Sequence, residues 1–154
     1  MRKVFDNSML FIAQGAFSGR VPFAPGTAGT AAGVLIYLLL KDVSPMWYGT
    51  ACIGAAVLGT WSAGIADRLL GTKDSPSIVI DEIAGFLVAM LLVPFSWWSV
   101  AGGFVLFRFF DILKPWPLKR LQDIPGGPGV MLDDIGAAVY TNIILQVAGS
   151  ILYQ

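Results

Sequence analysis

The chain contains no histidine and a single cysteine, Cys52. The first absence removes a phosphohistidine intermediate and a Ser-His-Asp triad. The second removes an intramolecular disulfide and any cysteine-rich metal site. Leu58, six residues after Cys52, leaves that cysteine without the arginine of a Cys-x5-Arg phosphatase loop, and no G-x-x-x-x-G-K-[ST] loop is present. Charge is also scarce. Only 13% of residues are charged, against roughly 25% in an average soluble domain. The ten Lys/Arg and ten Asp/Glu cancel, which leaves no basic footprint for nucleic acid. Apolar residues make up 56% of the 154, and the mean hydropathy is +0.72. These numbers point to lipid as the main solvent and to one domain over residues 1–154.

The apolar residues fall in runs that predict an all-α, polytopic membrane bundle of about five helices with helical hairpins. Residues 46–66 carry no charge and match the ~20 residues of a bilayer span. Residues 135–153 are also uncharged, with Asn142 and Gln146 as polar insertions. Residues 83–107 lack charge too, but Pro94 interrupts them and Trp97-Trp98 follow, so a hairpin of helices at about 82–93 and 97–113 is expected. A single straight span across 83–107 is the alternative. Residues 28–40 form a shorter apolar helix, with a turn at Lys41–Pro45 after it. In Gly29-xxx-Gly33 the small residues suit close helix packing. The N-terminal segment, with the short apolar run Met9–Ala13, reads as a retained interfacial helix.

With turns at 41–45 and 94–96, the connecting regions 14–27, 67–81 and 114–134 share one face. Nine of the ten Lys/Arg lie on that face or in the N-terminal segment, and Lys41 alone lies opposite. The positive-inside rule assigns the charged face to the cytoplasm. Helices of 11–15 residues reach only about 17–22 Å, short of a ~30 Å hydrocarbon core.

Four segments break the apolar pattern. Pro25-Gly26-Thr27-Ala28-Gly29-Thr30 opens a helix, where free N–H groups, the dipole and two hydroxyls suit a phosphate; Thr27 as an ordinary N-cap is the plainer reading. Lys73 precedes Asp81-Glu82, two adjacent acids at the start of an apolar helix. They complement the dipole there, yet repel each other in a way a hard cation relieves. Arg108, Asp111 and Lys114 are i,i+3 neighbours, a local ion-pair ladder or a phosphate site, with Pro115 and Pro117 ending the helix beyond the ammonium. Last, the glycine-rich Gly126–Gly129 leads to a second acid pair, Asp133-Asp134, expected at a helix start. Two acid pairs on one face favour a functional site over capping. Metal-assisted attack by water and an aspartyl nucleophile both remain open.

Together and in this order, the segments resemble the phosphatidylglycerophosphatase A family. The matching elements are Pro25-Gly26-Thr27 with Gly29-Thr30, Ile78-Val79-x-Asp81-Glu82 with Gly85, Phe107-Arg108-x-Phe110-Asp111-x-x-Lys114-Pro115-x-Pro117, and Gly127-x-Gly129-x-Met131-x-Asp133-Asp134. Each is weak alone; the ordered set, over about residues 15–140, is specific. Val21-Pro22 and Ile135-Gly136-Ala137-Ala138 depart from the usual Ser-Pro and Ala-Gly of the family. The resemblance implies a Mg²⁺-dependent enzyme of the bacterial inner membrane that removes the terminal phosphate of phosphatidylglycerophosphate. On that reading Asp81, Glu82, Asp133 and Asp134 hold Mg²⁺, and Asp81, Asp111, Lys114 and Asp134 act in catalysis. Pro25, Gly26, Thr27, Thr30, Lys73, Arg108 and Lys114 bind the phospholipid substrate. A transporter or ion-binding protein is one rival, but helix 46–66 has no charge to serve it. A phosphotransferase acting on a lipid headgroup is another, but lacks its long Asp-rich motif here, and a non-catalytic scaffold leaves the paired acids unexplained.

Overall fold

A computed structural model describes residues 2–72 and 75–152. Among them are seven α-helices and a 3₁₀ turn at Ser18–Arg20, with no strand. The helices are α1 (Arg2–Ala13), α2 (Pro25–Leu40), α3 (Pro45–Leu70), α4 (Ile80–Ala89), α5 (Trp97–Leu113), α6 (Leu118–Leu121) and α7 (Gly127–Leu152). The architecture is an all-helical bundle compatible with a small membrane protein. Two helices, α3 and α7, are long and apolar enough to cross a membrane. At 1.5 Å per residue each extends about 39 Å, whereas α2 and α5 reach about 24–26 Å and α4 only about 15 Å.

Local chemistry sets most of these boundaries. Proline occupies the first turn of both α2 and α3, where its fixed φ suits a helix and its missing N–H would have no partner anyway. The α2 helix therefore begins at Pro25, three residues earlier than expected, and Thr27 lies inside its first turn; the N-cap is Ala24, in the left-handed region. Helix α3 ends at Gly71, whose φ of 67° places its N–H on the Asp67 carbonyl. Helix α5 has the predicted bounds: the Ser96 side chain accepts a bond from the Ser99 amide at 2.9 Å, and Lys114 closes the other end just before Pro115. Two expectations shift. Helix α4 stops at Ala89, four residues early, because the chain turns at 90–93 with Leu92 at φ 59°. This turn also replaces the single straight span across 83–107. Helix α7 begins at Gly127, eight residues early, so the glycine-rich segment is helical and Asp133 and Asp134 sit in the second turn rather than at the start. The N-terminal helix α1 packs along α3, and the one-turn α6 was not anticipated.

Helix α4 is the centre of the bundle, packed on α2, α3, α5 and α7. Close approach depends on glycine. A Cβ on Gly29 would lie 2.7 Å from that of Val79, and one on Gly33 3.1 Å from that of Phe86, so the Gly29-xxx-Gly33 face does seat α2 against α4. On the other side, a Cβ on Gly85 would meet the Phe107 ring at 2.7 Å. Phe86, Phe107 and Met90 are fully or almost fully buried around it.

Ending a helix inside an apolar bundle leaves carbonyls without partners. Polar side chains of the two long helices meet that need. The Asn142 amide of α7 donates to the carbonyls of Ala89 (2.9 Å) and Leu91 (2.8 Å), while Gln146 donates to Asn142 Oδ1 at 2.8 Å. The Tyr48 hydroxyl of α3 donates to the Leu87 carbonyl at 2.7 Å. The polar insertions in the last apolar run thus hold the inner end of α4. Asn142→Ala should lower stability by about 1–3 kcal/mol, the usual penalty for stranding a buried acceptor. Thermal unfolding of the purified protein in detergent checks this; an unchanged Tm would mean that α4 does not need the Asn142 bonds.

Candidate active site

Helices α2, α4, α5 and α7 bring polar ends to one end of the bundle, around a cleft of about 290 Å³. Residues of all three charged connecting regions, among them Ala24, Ser75 and Lys114, line it together, as their placement on a common face predicted. Asp81 and Glu82 come from the first turn of α4, where the helix dipole favours negative charge. Arg108 and Asp111 lie one turn apart on α5, and Lys114 is at its end. Asp133 and Asp134 face in from α7.

Arg108 bridges two of these elements. Its Nη1 is 2.7 Å from Asp111 Oδ2 and 3.7 Å from Glu82 Oε1. Lys114 Nζ lies 3.9 Å from Asp111 Oδ1 and donates a close hydrogen bond to Asp133 Oδ2. Burial alone would pull the Lys114 ammonium below its ordinary pKa. The Asp133 bond, with the charges of Asp133, Asp111 and Asp134, outweighs burial and raises it, so Lys114 stays cationic at physiological pH.

Asp81, Glu82 and Asp134 form a second group, each offering an oxygen within 4.8 Å of the others. Asp81 and Asp134 are buried; Glu82 Oε2 and Asp134 Oδ2 are buried atoms with no hydrogen-bond partner. Three converging oxygen donors, two with unused lone pairs, fit a hard cation such as Mg²⁺. Asp133, expected beside Asp134 as a ligand, lies outside this group and is bonded to Lys114. Among the described residues, the cleft is lined by five carboxylates and two cations.

The expected phosphate turn divides. Pro25 and Gly26 line the cleft, and a Cβ on Gly26 would collide with Glu82 Oε1 and lie 2.9 Å from Arg108 Nη1. Glycine here lets the α2 backbone approach both groups. Thr27 and Thr30 are not among the cleft residues. Thr30 is fully buried and its hydroxyl donates to the Gly26 carbonyl at 3.0 Å, a bond within the helix in place of the expected one to phosphate. Lys73 lies outside the described residues. Sequence reasoning passed over Ser75, Pro76 and Ala24 as cleft residues. The signal available for the first two was their position just before the acid pair. Their segment is tied down by the Val79 amide, which donates to the Ala13 carbonyl at 2.9 Å, and by Gln14, which joins Arg20 (2.9 Å) to Ser77 (3.4 Å).

Comparison with known proteins identifies the family. Residues 11–149 match the family described as Phosphatidylglycerophosphatase A. Proteins named "Phosphatidylglycerophosphatase A" from Escherichia coli and Haemophilus influenzae are 33% and 35% identical to the chain. The alignments cover 96% and 90% of this chain and 87% of each relative. A Bacteroides thetaiotaomicron protein named "Putative phosphatidylinositol-3-phosphatase" is 37% identical over 90% of this chain and 92% of its own length. No solved structure matches. The motifs that line the cleft all lie within the matched span, and the reaction these relatives support is that of a phosphatase: the chain belongs to the phosphatidylglycerophosphatase A family.

Proposed function

We propose that the chain hydrolyses the terminal phosphate monoester of phosphatidylglycerophosphate to phosphatidylglycerol, with Mg²⁺ as cofactor, in the cytoplasmic membrane of a bacterium. The family supports the substrate. The observation that supports the metal is the donor set: Asp81, Glu82 and Asp134 bring oxygens within 4.8 Å of one another, and the buried Glu82 Oε2 and Asp134 Oδ2 have no hydrogen-bond partner. Asp81, Glu82 and Asp134 would hold the metal. When bound, it supplies Lewis-acid polarisation of the phosphoryl group and a lower pKa for attacking water.

The chain's own residues do the rest. Lys114 and Arg108 bind phosphoryl oxygens and offset the charge that shifts onto them during displacement. Asp111, in contact with both cations, fixes their positions. Asp133 anchors Lys114 from the α7 side. Asp81 or Asp134 takes the proton of the attacking water. Water adds to phosphorus as the P–O bond to the glycerol breaks, and the departing oxygen takes up a proton. The products are inorganic phosphate and the free lipid hydroxyl.

Purified protein should release phosphate from phosphatidylglycerophosphate faster than from phosphatidylinositol 3-phosphate or phosphatidic acid. A preference for the inositol lipid would move the substrate toward that named for the Bacteroides relative. Exhaustive EDTA treatment should abolish release and Mg²⁺ restore it, and Mg²⁺ should also raise the Tm of the stripped protein. Full activity after chelation, with no Tm response, would refute the metal assignment.

Amide substitutions separate metal ligands from acids that only favour the fold. Asp81→Asn, Glu82→Gln and Asp134→Asn should each remove turnover and the Mg²⁺-dependent Tm rise while the protein still folds. Losing a charge beside the α4 dipole costs only about 0.3–1 kcal/mol, so retained activity would mean that Asp81 and Glu82 serve only the helix. Lys114→Ala should lower kcat by about 10²–10³ with a smaller change in KM. If Lys114 merely neutralises Asp133, adding Asp133→Asn should recover most of that loss; a double variant as slow as Lys114→Ala supports a role on the phosphoryl group.

The cleft end carries the basic residues and so belongs in the cytoplasm. In a Cys52→Ala background and intact cells, a membrane-impermeant thiol reagent should label Ser44→Cys and spare Ser75→Cys. The reverse pattern would invert the orientation.

A further inference from the structure

The cleft accounts for a phosphate but not for the tails that a lipid substrate must keep in the bilayer. Among the described residues, apolar grooves along the bundle include three. The largest, about 540 Å³, lies between α2 and α5, the two helices that deliver Gly26 and Arg108 to the cleft. Its α5 wall is the stripe Trp97, Ala101, Phe104 and Val105, which continues at helical spacing into Arg108 and Asp111. On α2 the wall is Ala31, Val34 and Leu35. Ala31 and Ala101, small and exposed, leave the groove open to the side. From Val105 to Trp97 it covers about 12 Å of α5, most of the ~15 Å depth of one leaflet.

The other two grooves lie elsewhere on the bundle. The one between α3 and α7, about 450 Å³, is lined by neither α2 nor α5. The one beside Phe110 and Tyr140, about 320 Å³, is smaller and lies between α5 and α7, away from α2.

We propose that the α2–α5 groove binds one acyl chain of the lipid whose phosphate enters the cleft. The lipid then slides in sideways from the bilayer, and Arg108 meets its headgroup where the apolar stripe ends. This rests on the lipid-phosphatase reading, and crosslinking, which needs no turnover, tests it separately. Phosphatidylglycerophosphate with a diazirine in one acyl chain should label peptides 31–35 and 97–105, and excess unlabelled lipid should reduce the labelling. Labelling chiefly on α3 or beside Tyr140, or labelling that unlabelled lipid leaves unchanged, would overturn the groove whether or not phosphate is released. Kinetics give a second reading. Ala101→Phe should raise KM for the long-chain lipid about tenfold, while its rate on the dihexanoyl lipid stays within about twofold of wild type. Ala56→Phe, in the α3–α7 groove, should change neither. Equal losses on both lipids for Ala101→Phe, or none, would count against the proposal. Absence of phosphate release from wild type would instead defeat the functional reading and leave the crosslinking result to stand alone.

Discussion

The strongest constraint on this protein is the repulsion among five carboxylates packed into one end of an apolar bundle. Asp81, Asp111, Asp133 and Asp134 are buried and Glu82 nearly so, with Arg108 and Lys114 the cations among them in the described residues. In a low-dielectric setting such an excess opposes folding, since removing a charge from water is expensive unless it is paired. Burial elsewhere must offset it, and the offset is local. Directly below the cleft, Phe86, Phe107 and Met90 close around α4, and glycines let the neighbouring helices come into contact with it. Close packing thus lies beside the most repulsive cluster. That arrangement fixes the acids while leaving their charge to be satisfied by what binds.

Helix α4 shows how the two ends of one short element are held by different forces. Its N-terminus places Asp81 and Glu82 where the backbone dipole favours them. Its C-terminus, ending inside the bundle, is held by Asn142 and Tyr48 from the long helices α7 and α3. A helix of this length has little stability of its own. Its position comes from packing and from these capping bonds, so the side chains that fix the acids include some that lie far from the cleft.

Where a boundary is written in local chemistry, the sequence was enough. Pro94 with Trp97-Trp98, and Pro115 after Lys114, place α5 at its observed bounds, and the uncharged runs locate α3 and most of α7. The misreadings share a cause. Helix α4 looked longer because Leu91–Val93 continue its apolar pattern; the early stop depends on Asn142, about fifty residues away. Helix α7 looked shorter because Gly126–Gly129 reads as a loop, whereas glycine at 127 lets the first turn of α7 pack closely on Thr60 of α3. Thr30 looked like a phosphate donor because hydroxyl chemistry is visible in sequence, while its bond to the Gly26 carbonyl is visible only in three dimensions. The acids and cations of the cleft were legible as residues; their grouping was not.

That grouping follows from helical geometry. Adjacent residues on a helix point about 100° apart, so a sequential acid pair can be divided between two partners. Asp133 and Asp134 illustrate this. Asp133 turns toward Lys114 at the end of α5, and Asp134 turns toward Asp81 and Glu82 on α4. One pair of residues on α7 therefore meets both halves of the cleft, an anionic cluster suited to a cation and a lysine held ready for an anion. Asp111 makes the corresponding link from α5, contacting Arg108 and Lys114 with its two oxygens. The two halves are not independent sites. A change in charge at Asp134 is therefore felt by Lys114, so on the proposed reading a cation held by the acids and a phosphate held by Lys114 would be electrostatically coupled within a single cleft.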